Sequence, residues 1–377
     1  MVVGLKGKSD SCPEVLDLVR WISSTLSHYN LPINSTDSLM WSSAEIGSAL
    51  YGLQDLGRRN TVDSYGSPGR SGSVLERMKA ACPSSLSGEV LDLIAQLSTS
   101  FQQSSCTLNI NDVGKGLYGL KNMSSDHDEV RHLLQTLTKK LKQQRLVENN
   151  KNRKKVPDLF LAKGIFGLRS MSSDAAEVRD VIAELTDTLE VEGKGDMSLR
   201  EVTMALSGCY NLSTDHAEVQ ALFRVLAQRL AKACDEEQLD GQAVGNILYS
   251  LTAFREETQT LTGEKRLEMG ESHPLTIILQ TLLRSLTATK SHHIPLDGVD
   301  VHGALRGLSD LSFDIPEVPL LLDAILQNTR RINSRSVHGK PNRNGLVFPA
   351  YAFNVNCAAG ALNAFNNMNS DNLVVKK

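Results

Sequence analysis

Apolar residues recur along this chain at relative positions 0, 4, 7 and 10, and seven segments carry the spacing. They are Ile46, Leu50, Leu53, Leu56; Val113, Leu117, Leu120, Met123; Leu161, Ile165, Leu168, Met171; Val202, Leu206, Cys209, Leu212; Val244, Leu248, Leu251, Phe254; Val301, Leu305, Leu308, Leu311; and Ala358, Leu362, Phe365, Met368. Such spacing lines one face of an α-helix and does not fit the alternation of a strand. A second stripe follows, as in Val130, Leu133, Leu134, Leu137, Leu141 and in Val219, Leu222, Phe223, Leu226, Leu230. Each copy therefore predicts a first helix and a second helix.

The polar positions carry their own signals. Asp126-x-x-Glu129, Asp174-x-x-Glu177, Asp215-x-x-Glu218, Asp314-x-x-Glu317 and Ser11-x-x-Glu14 read as capping boxes opening the second helices. Pro13 and Pro316 stand where a helix start tolerates a missing N–H. Small residues recur three apart on the first helices: Ala49 and Gly52, Gly116 and Gly119, Gly164 and Gly167, Ala205 and Gly208, Ala304 and Gly307, Ala361 and Ala364. A mid-helix glycine costs about 0.5–1 kcal/mol against alanine. A repeated cost needs a repeated cause, and close helix–helix approach supplies it.

These elements predict an all-α fold: a right-handed α-solenoid of about seven tandem hairpins across 1–377, each unit packing on its neighbours. The expected units are a partial repeat at 1–30, repeats at about 43–101, 110–147, 158–190, 199–233, 241–290 and 298–331, and a partial repeat at 357–377. Loop insertions are expected at 57–83, 142–156, 255–272 and 328–345. The array reads as cut at both ends, as in a fragment or a chain that joins its own copy.

Composition narrows the function classes. Aromatics are 5% and the core residues are mostly Leu, Val, Ile and Ala, which suits stacked helices. The net charge of −3 argues against a dedicated nucleic-acid binder, whose domain is usually basic. The six cysteines form no C-x-x-C pair, so structural zinc is not expected; they read as buried or free thiols in a reducing compartment. Met1–Ser11 has no apolar run of the signal-peptide kind. No stretch is long and apolar enough to span a membrane. The expectation is an intracellular protein, cytoplasmic by default, with an organellar address still open.

Candidate chemistry is sparse. Gly193-Lys-Gly-Asp is too poor in glycine for a phosphate cradle. His292-His293 has no third metal ligand at useful spacing, and Glu256-Glu257 reads as a solvated pair. No nucleophile elbow exists. Neither catalysis, nor a cofactor, nor a small-molecule substrate is expected. Two stretches are strongly basic. One holds Lys139, Lys140, Lys142, Arg145, Lys151, Arg153, Lys154 and Lys155; the other holds Arg330, Arg331, Arg335, Lys340 and Arg343. Lys151, Arg153, Lys154, Lys155, Arg330, Arg331, Arg335, Lys340 and Arg343 are the candidate partner-binding residues, as an electrostatic footprint. Tyr51, Tyr118, Phe166 and Tyr249 share one repeat position. They serve either as packing between adjacent hairpins or as a platform for stacked bases.

The second-helix openings Ser125-Asp-His-Asp-Glu-Val-Arg131 and Asp174-Ala-Ala-Glu-Val-Arg179 resemble those of HEAT and armadillo-type repeats. The Leu-Tyr-Gly-Leu core at 117–120 more loosely resembles that of octotricopeptide-type repeats, which bind organellar RNA, although the Trp and Pro-rich motif of that family are missing. The first resemblance implies a protein-binding scaffold, the second an RNA binder. The leading expectation is a non-catalytic scaffold for a protein or peptide partner. RNA binding through the basic inter-repeat loops is the alternative.

Overall fold

The computed structural model describes residues 5, 10, 12–29, 41–56, 86–147, 157–191, 197–260, 272–288, 296, 298–312 and 315–335. Among these every regular element is a helix. The first helices are α2 (Ser43–Tyr51), α4 (Ile110–Gly119), α6 (Asp158–Gly167), α8 (Leu199–Ser207), α10 (Gly241–Ser250) and α13 (Gly298–Ser309). The second helices are α1 (Pro13–Tyr29), α3 (Gly88–Gln103), α5 (Asp128–Val147), α7 (Ala176–Val191), α9 (Ala217–Glu236), α12 (Pro274–Thr287) and α14 (Glu317–Arg335). A short α11 (Arg255–Thr260) follows α10.

The helices group into two compact units, Met1–Asp196 with His216–Leu222, and Met197–Asp215 with Phe223–Lys377. In the first unit α2, α4 and α6 pack in series, as do α1, α3, α5 and α7, giving two layers. In the second unit α8, α10 and α13 form one series, and α14 packs on α12. All residues at positions 0, 4, 7 and 10 of the described copies are buried, none more than 5% exposed. Each fully buried Leu or Ile among them contributes about 1.5–3 kcal/mol.

The backbone refines the predicted stripe. Apart from Leu308 in α13, positions 7 and 10 lie past the end of the α-helix itself. Leu120 N–H donates to Leu117 C=O and Met123 N–H to Leu120 C=O, and the same i to i+3 bonds recur at Leu50–Leu53–Leu56, Ile165–Leu168–Met171 and Leu206–Cys209–Leu212. The chain tightens to about three residues per turn after position 4. That is why the apolar spacing runs four, then three, then three.

Of the predicted second-helix capping boxes, those at Asp126, Asp174 and Asp215 are corrected, and Ser11 and Asp314 lie outside the described residues. The first helical bonds run from Arg131 N–H to His127, Arg179 N–H to Ala175 and Gln220 N–H to His216, so each helix begins one residue past the expected aspartate. The Asp126, Asp174 and Asp215 N–H groups instead take the hydroxyls of Ser124, Ser172 and Ser213. The tight turn is then tied by Arg131 and Arg179, whose guanidinium groups donate to the carbonyls of Ser125 and Asp126, and of Ser173 and Asp174. True capping boxes form on first helices, Ser42 with Glu45 and Ser198 with Glu201.

Close approach between first helices is visible at the glycines. A Cβ on Gly119 would lie 1.9 Å from the Leu50 carbonyl oxygen; on Gly167, 2.1 Å from that of Leu117; on Gly307, 1.8 Å from that of Leu248. Position 6 of one copy thus rests on the backbone at position 4 of the copy before. A second contact, absent from the sequence reading, uses position 1. There Gly47, Gly114 and Gly245 meet the backbones of Asp112, Phe160 and Asp300 in the following copy. Position 3 is looser: a Cβ on Gly164 would meet nothing nearer than 3.5 Å, and one on Gly116 would meet the Leu50 Cδ1 at 2.9 Å, the far end of a side chain and not backbone. Alanine fills that position in other copies.

Candidate functional site

Once the core positions and the backbone contacts are taken, each first helix and its closing turn leave positions 2, 5 and 8 to solvent, together with a position 9 that holds Asp55, Asn122, Ser170, Asn211 and Asp310. In the first unit positions 2, 5 and 8 are Ser48 and Tyr51; Lys115, Tyr118 and Lys121; and Lys163, Phe166 and Arg169, all half-buried. Gln54, at the last position of the first of these copies, is buried instead. In the second unit they are Met204, Ser207 and Tyr210; Asn246, Tyr249 and Thr252; and Gly303, Arg306 and Ser309. At positions 2, 5 and 8 both rows together hold five cations and no carboxylate, in a chain with 40 basic and 43 acidic residues; position 9 adds Asp55 and Asp310, the latter paired with Arg255. The outer layer of the first unit carries the opposite sign in α7, which displays Glu177, Asp180, Asp187 and Glu190.

The shared aromatic position builds a ladder. Tyr51 stacks on Tyr118 with centroids 5.9 Å apart and planes at 26°, and Tyr118 stacks on Phe166 at 5.8 Å and 25°. Lys121 lies 4.6 Å over the Tyr118 ring and Arg169 5.0 Å over the Phe166 ring. The rings therefore make packing contacts between adjacent hairpins. In the second unit Tyr210 and Tyr249 meet at 5.1 Å, and Arg306 covers Tyr249 at 5.9 Å.

The remaining cations of the first row are held by specific partners. Lys115 reaches the Asp112 carboxylate at 3.3 Å. Lys115 and Lys163 flank the Phe160 ring at 5.4 and 5.5 Å. Asp112 is buried and also accepts from Ser43 of the preceding copy and from Asn109, both at 2.6 Å. In the second row the Arg306 Nε is buried without a hydrogen-bond partner. Burial, and then the charge of Arg306, hold the neighbouring His302 imidazole below its usual range.

Of the residues named from sequence, Lys151, Arg153, Lys154, Lys155, Lys340 and Arg343 lie outside the described residues. Arg330, Arg331 and Arg335 fall on the last turns of α14, where only the backbone is described. The expected loops begin later than predicted, since α5 runs to Val147 and α14 to Arg335. Two lysines read as loop cations have structural partners. Lys140 is 5% exposed and donates to the Ser104 and Cys106 carbonyls at 2.6 and 2.9 Å, and burial lowers its pKa. Lys142 approaches Glu184 at 3.7 Å. Glu257, read as one of a solvated pair, instead meets His273 at 2.8 Å and accepts from Thr214 at 2.7 Å. His292, His293 and Gly193–Asp196 lie outside the described residues.

Among the described residues, no group of three or more His, Cys, Asp or Glu side chains is placed to hold a metal ion, and no helix is long and apolar enough to cross a membrane. Compared with known protein families, with curated proteins and with solved structures, the chain matches none.

Proposed function

We propose that this chain is a non-catalytic helical-repeat scaffold, a right-handed α-solenoid of about seven hairpins, that binds an extended acidic segment of a protein or peptide along the first-helix row. One observation carries the reading: positions 2, 5 and 8 recur at equivalent places in every described copy, on a backbone fixed by glycine contacts, while their chemistry changes from copy to copy. A constant frame with a varied, acid-free row suits recognition spread over several repeats. Its positive sign in the first unit favours an anionic partner. A protein segment fits better than RNA because the ring faces are already covered, the second row is mostly neutral, and the chain as a whole is weakly acidic. RNA is the second reading, favoured by the cluster Lys115, Lys121, Lys163 and Arg169.

The test is a direct comparison of acidic peptides and a mixed single-stranded RNA pool, titrated against the chain over a salt series. Binding of acidic peptides that is lost in Lys115→Glu, Lys163→Glu and Arg169→Glu supports the proposal. Binding of RNA alone, persisting near physiological salt and lost in the same variants, replaces it with the second reading. Unaltered binding in these variants would remove the first-helix row from either account.

A further inference from the structure

Position 5 carries a ring in four described copies, Tyr51, Tyr118, Phe166 and Tyr249, and a guanidinium group in the last described copy, Arg306. Arg306 takes the place that the next ring of a ladder would fill, since its Cζ lies over the Tyr249 ring at 5.9 Å. A planar guanidinium group set against an aromatic face keeps its N–H donors in the plane of the fork. Those donors are unspent. Nε is buried without a hydrogen-bond partner, and among the described residues no ion pair reaches the group. The acid nearest in sequence, Asp310, is held by Arg255 at 2.6 Å. Lys115 of the first unit, by contrast, has the Asp112 carboxylate at 3.3 Å. The helix of Arg306 leaves the approach open, because position 2 of that copy is Gly303 and position 8 is Ser309. A charge partly withdrawn from water and left unpaired attracts an anion more strongly than a fully solvated one does.

We propose that Arg306 is a carboxylate-binding subsite of the second unit, which takes one aspartate or glutamate side chain of the acidic partner on the outer edge of its guanidinium group. The two Nη atoms are the donors, since Nε is buried. Such a fork matches both oxygens of a carboxylate, which an ammonium group does not. The subsite rests on the acidic-segment reading and adds an anchor to a row whose other positions are neutral. His302 stands four residues before Arg306 on the same face of α13 and reports on it. Burial, and then the Arg306 charge, hold its imidazole below the usual range. A carboxylate against Arg306 offsets the second cause, so the His302 titration midpoint rises when the ligand binds.

The experiment follows the imidazole resonances of the full chain by NMR over pH, the His302 signal being assigned by its loss in His302→Gln. A peptide of alternating glutamate and glycine is compared with its glutamine counterpart at constant ionic strength. The hosts are the parent, Arg306→Gln and Arg306→Lys, with circular-dichroism melts as the folding control. The glutamate peptide should raise the His302 midpoint in the parent, and the glutamine peptide should leave it in place. Arg306→Gln should start from a raised midpoint that the peptide no longer moves, and should bind the peptide about tenfold more weakly. Arg306→Lys should recover part of that loss. Saturating peptide that leaves the parent His302 midpoint in place overturns the subsite, and so does an equal rise with the glutamine peptide or in Arg306→Gln. The acidic-segment reading would then still stand on Lys115, Lys163 and Arg169. If no peptide binds, that reading fails, and acetyl-glutamate amide at millimolar concentration decides the subsite separately. A His302 rise in the parent that is absent in Arg306→Gln supports it, and no rise overturns it.

Discussion

Replacing Gly119 with alanine tests the stacking geometry with a single methyl group. At an ordinary helical site the change would stabilise by about 0.5–1 kcal/mol. Here the new Cβ would lie 1.9 Å from the Leu50 oxygen, 2.5 Å from its carbonyl carbon and 3.0 Å from the Tyr51 Cα. Ordinary contact begins at 3.4 Å, and the obstruction is backbone, so no rotamer change relieves it. One helix must retreat by about an ångström, loosening the Tyr51–Tyr118 pair and the burial of Leu50 and Leu117. Overpacking of this kind costs about 1–3 kcal/mol, outweighing the gain in helix propensity. The internal control is Gly88→Ala, where a Cβ meets nothing within 4 Å. With melting shifts of about 2–4 °C per kcal/mol, Gly119→Ala should melt several degrees below the parent and Gly88→Ala at or above it. A Gly119→Ala protein that melts with the Gly88→Ala protein would refute the close-approach argument.

The aromatic ladder predicts a graded loss. Tyr118→Ala removes two stacked pairs and should cost about 2–3 kcal/mol, against roughly half that for Tyr51→Ala; equal melts of the two variants would contradict it. The thiols predict a reactivity and a pH trend. Burial pushes the Cys209 thiol up strongly and that of Cys234 up to about 11. Alkylation followed by mass spectrometry should leave both unmodified in the native chain at neutral pH and modify both in denaturant. Because the folded Cys234 holds its proton longer than the unfolded one, its stabilising contribution is complete below the ordinary thiol value of about 8.5. It declines as pH rises from there toward about 11. A melting temperature that rises over that range would reverse the sign.

What could be read from sequence was whatever repeats in register with the core. The 0-4-7-10 residues and the tight role of Gly119 and Gly167 follow from the pattern itself, because burial and backbone contact restrict residue type in every copy. The Ser-x-Asp turns were misread because a turn and a helix cap use the same residue types one position apart. The capping box at Ser198 and Glu201 had a plain signal, Ser-x-x-Glu, but it occurs in few copies and was lost beside the repeating motif. Lys115, Lys121, Lys163 and Arg169 were overlooked for the opposite reason. Surface positions vary freely, and only subtracting the buried positions from each copy shows that 2, 5 and 8 form a row. The charge runs drew attention instead, and there Lys140 shows why composition misleads: its aliphatic stem is buried and its ammonium group is spent on two carbonyls.

The two layers of the first unit also differ in mechanical character. Between first helices the separation is set by glycine Cα atoms resting on carbonyl groups, rigid matter with no rotamer to yield. Between second helices it is set by side chains that can rotate or lengthen their contacts, such as Lys142 on Glu184 or Arg20 on Glu89. A unit built this way is expected to flex as a beam with one inextensible flange. Strain should open or close the second-helix layer and leave the pitch of the first-helix row constant. Whatever lies along that row meets a ruler with fixed graduations, and the cost of bending is met on the other side.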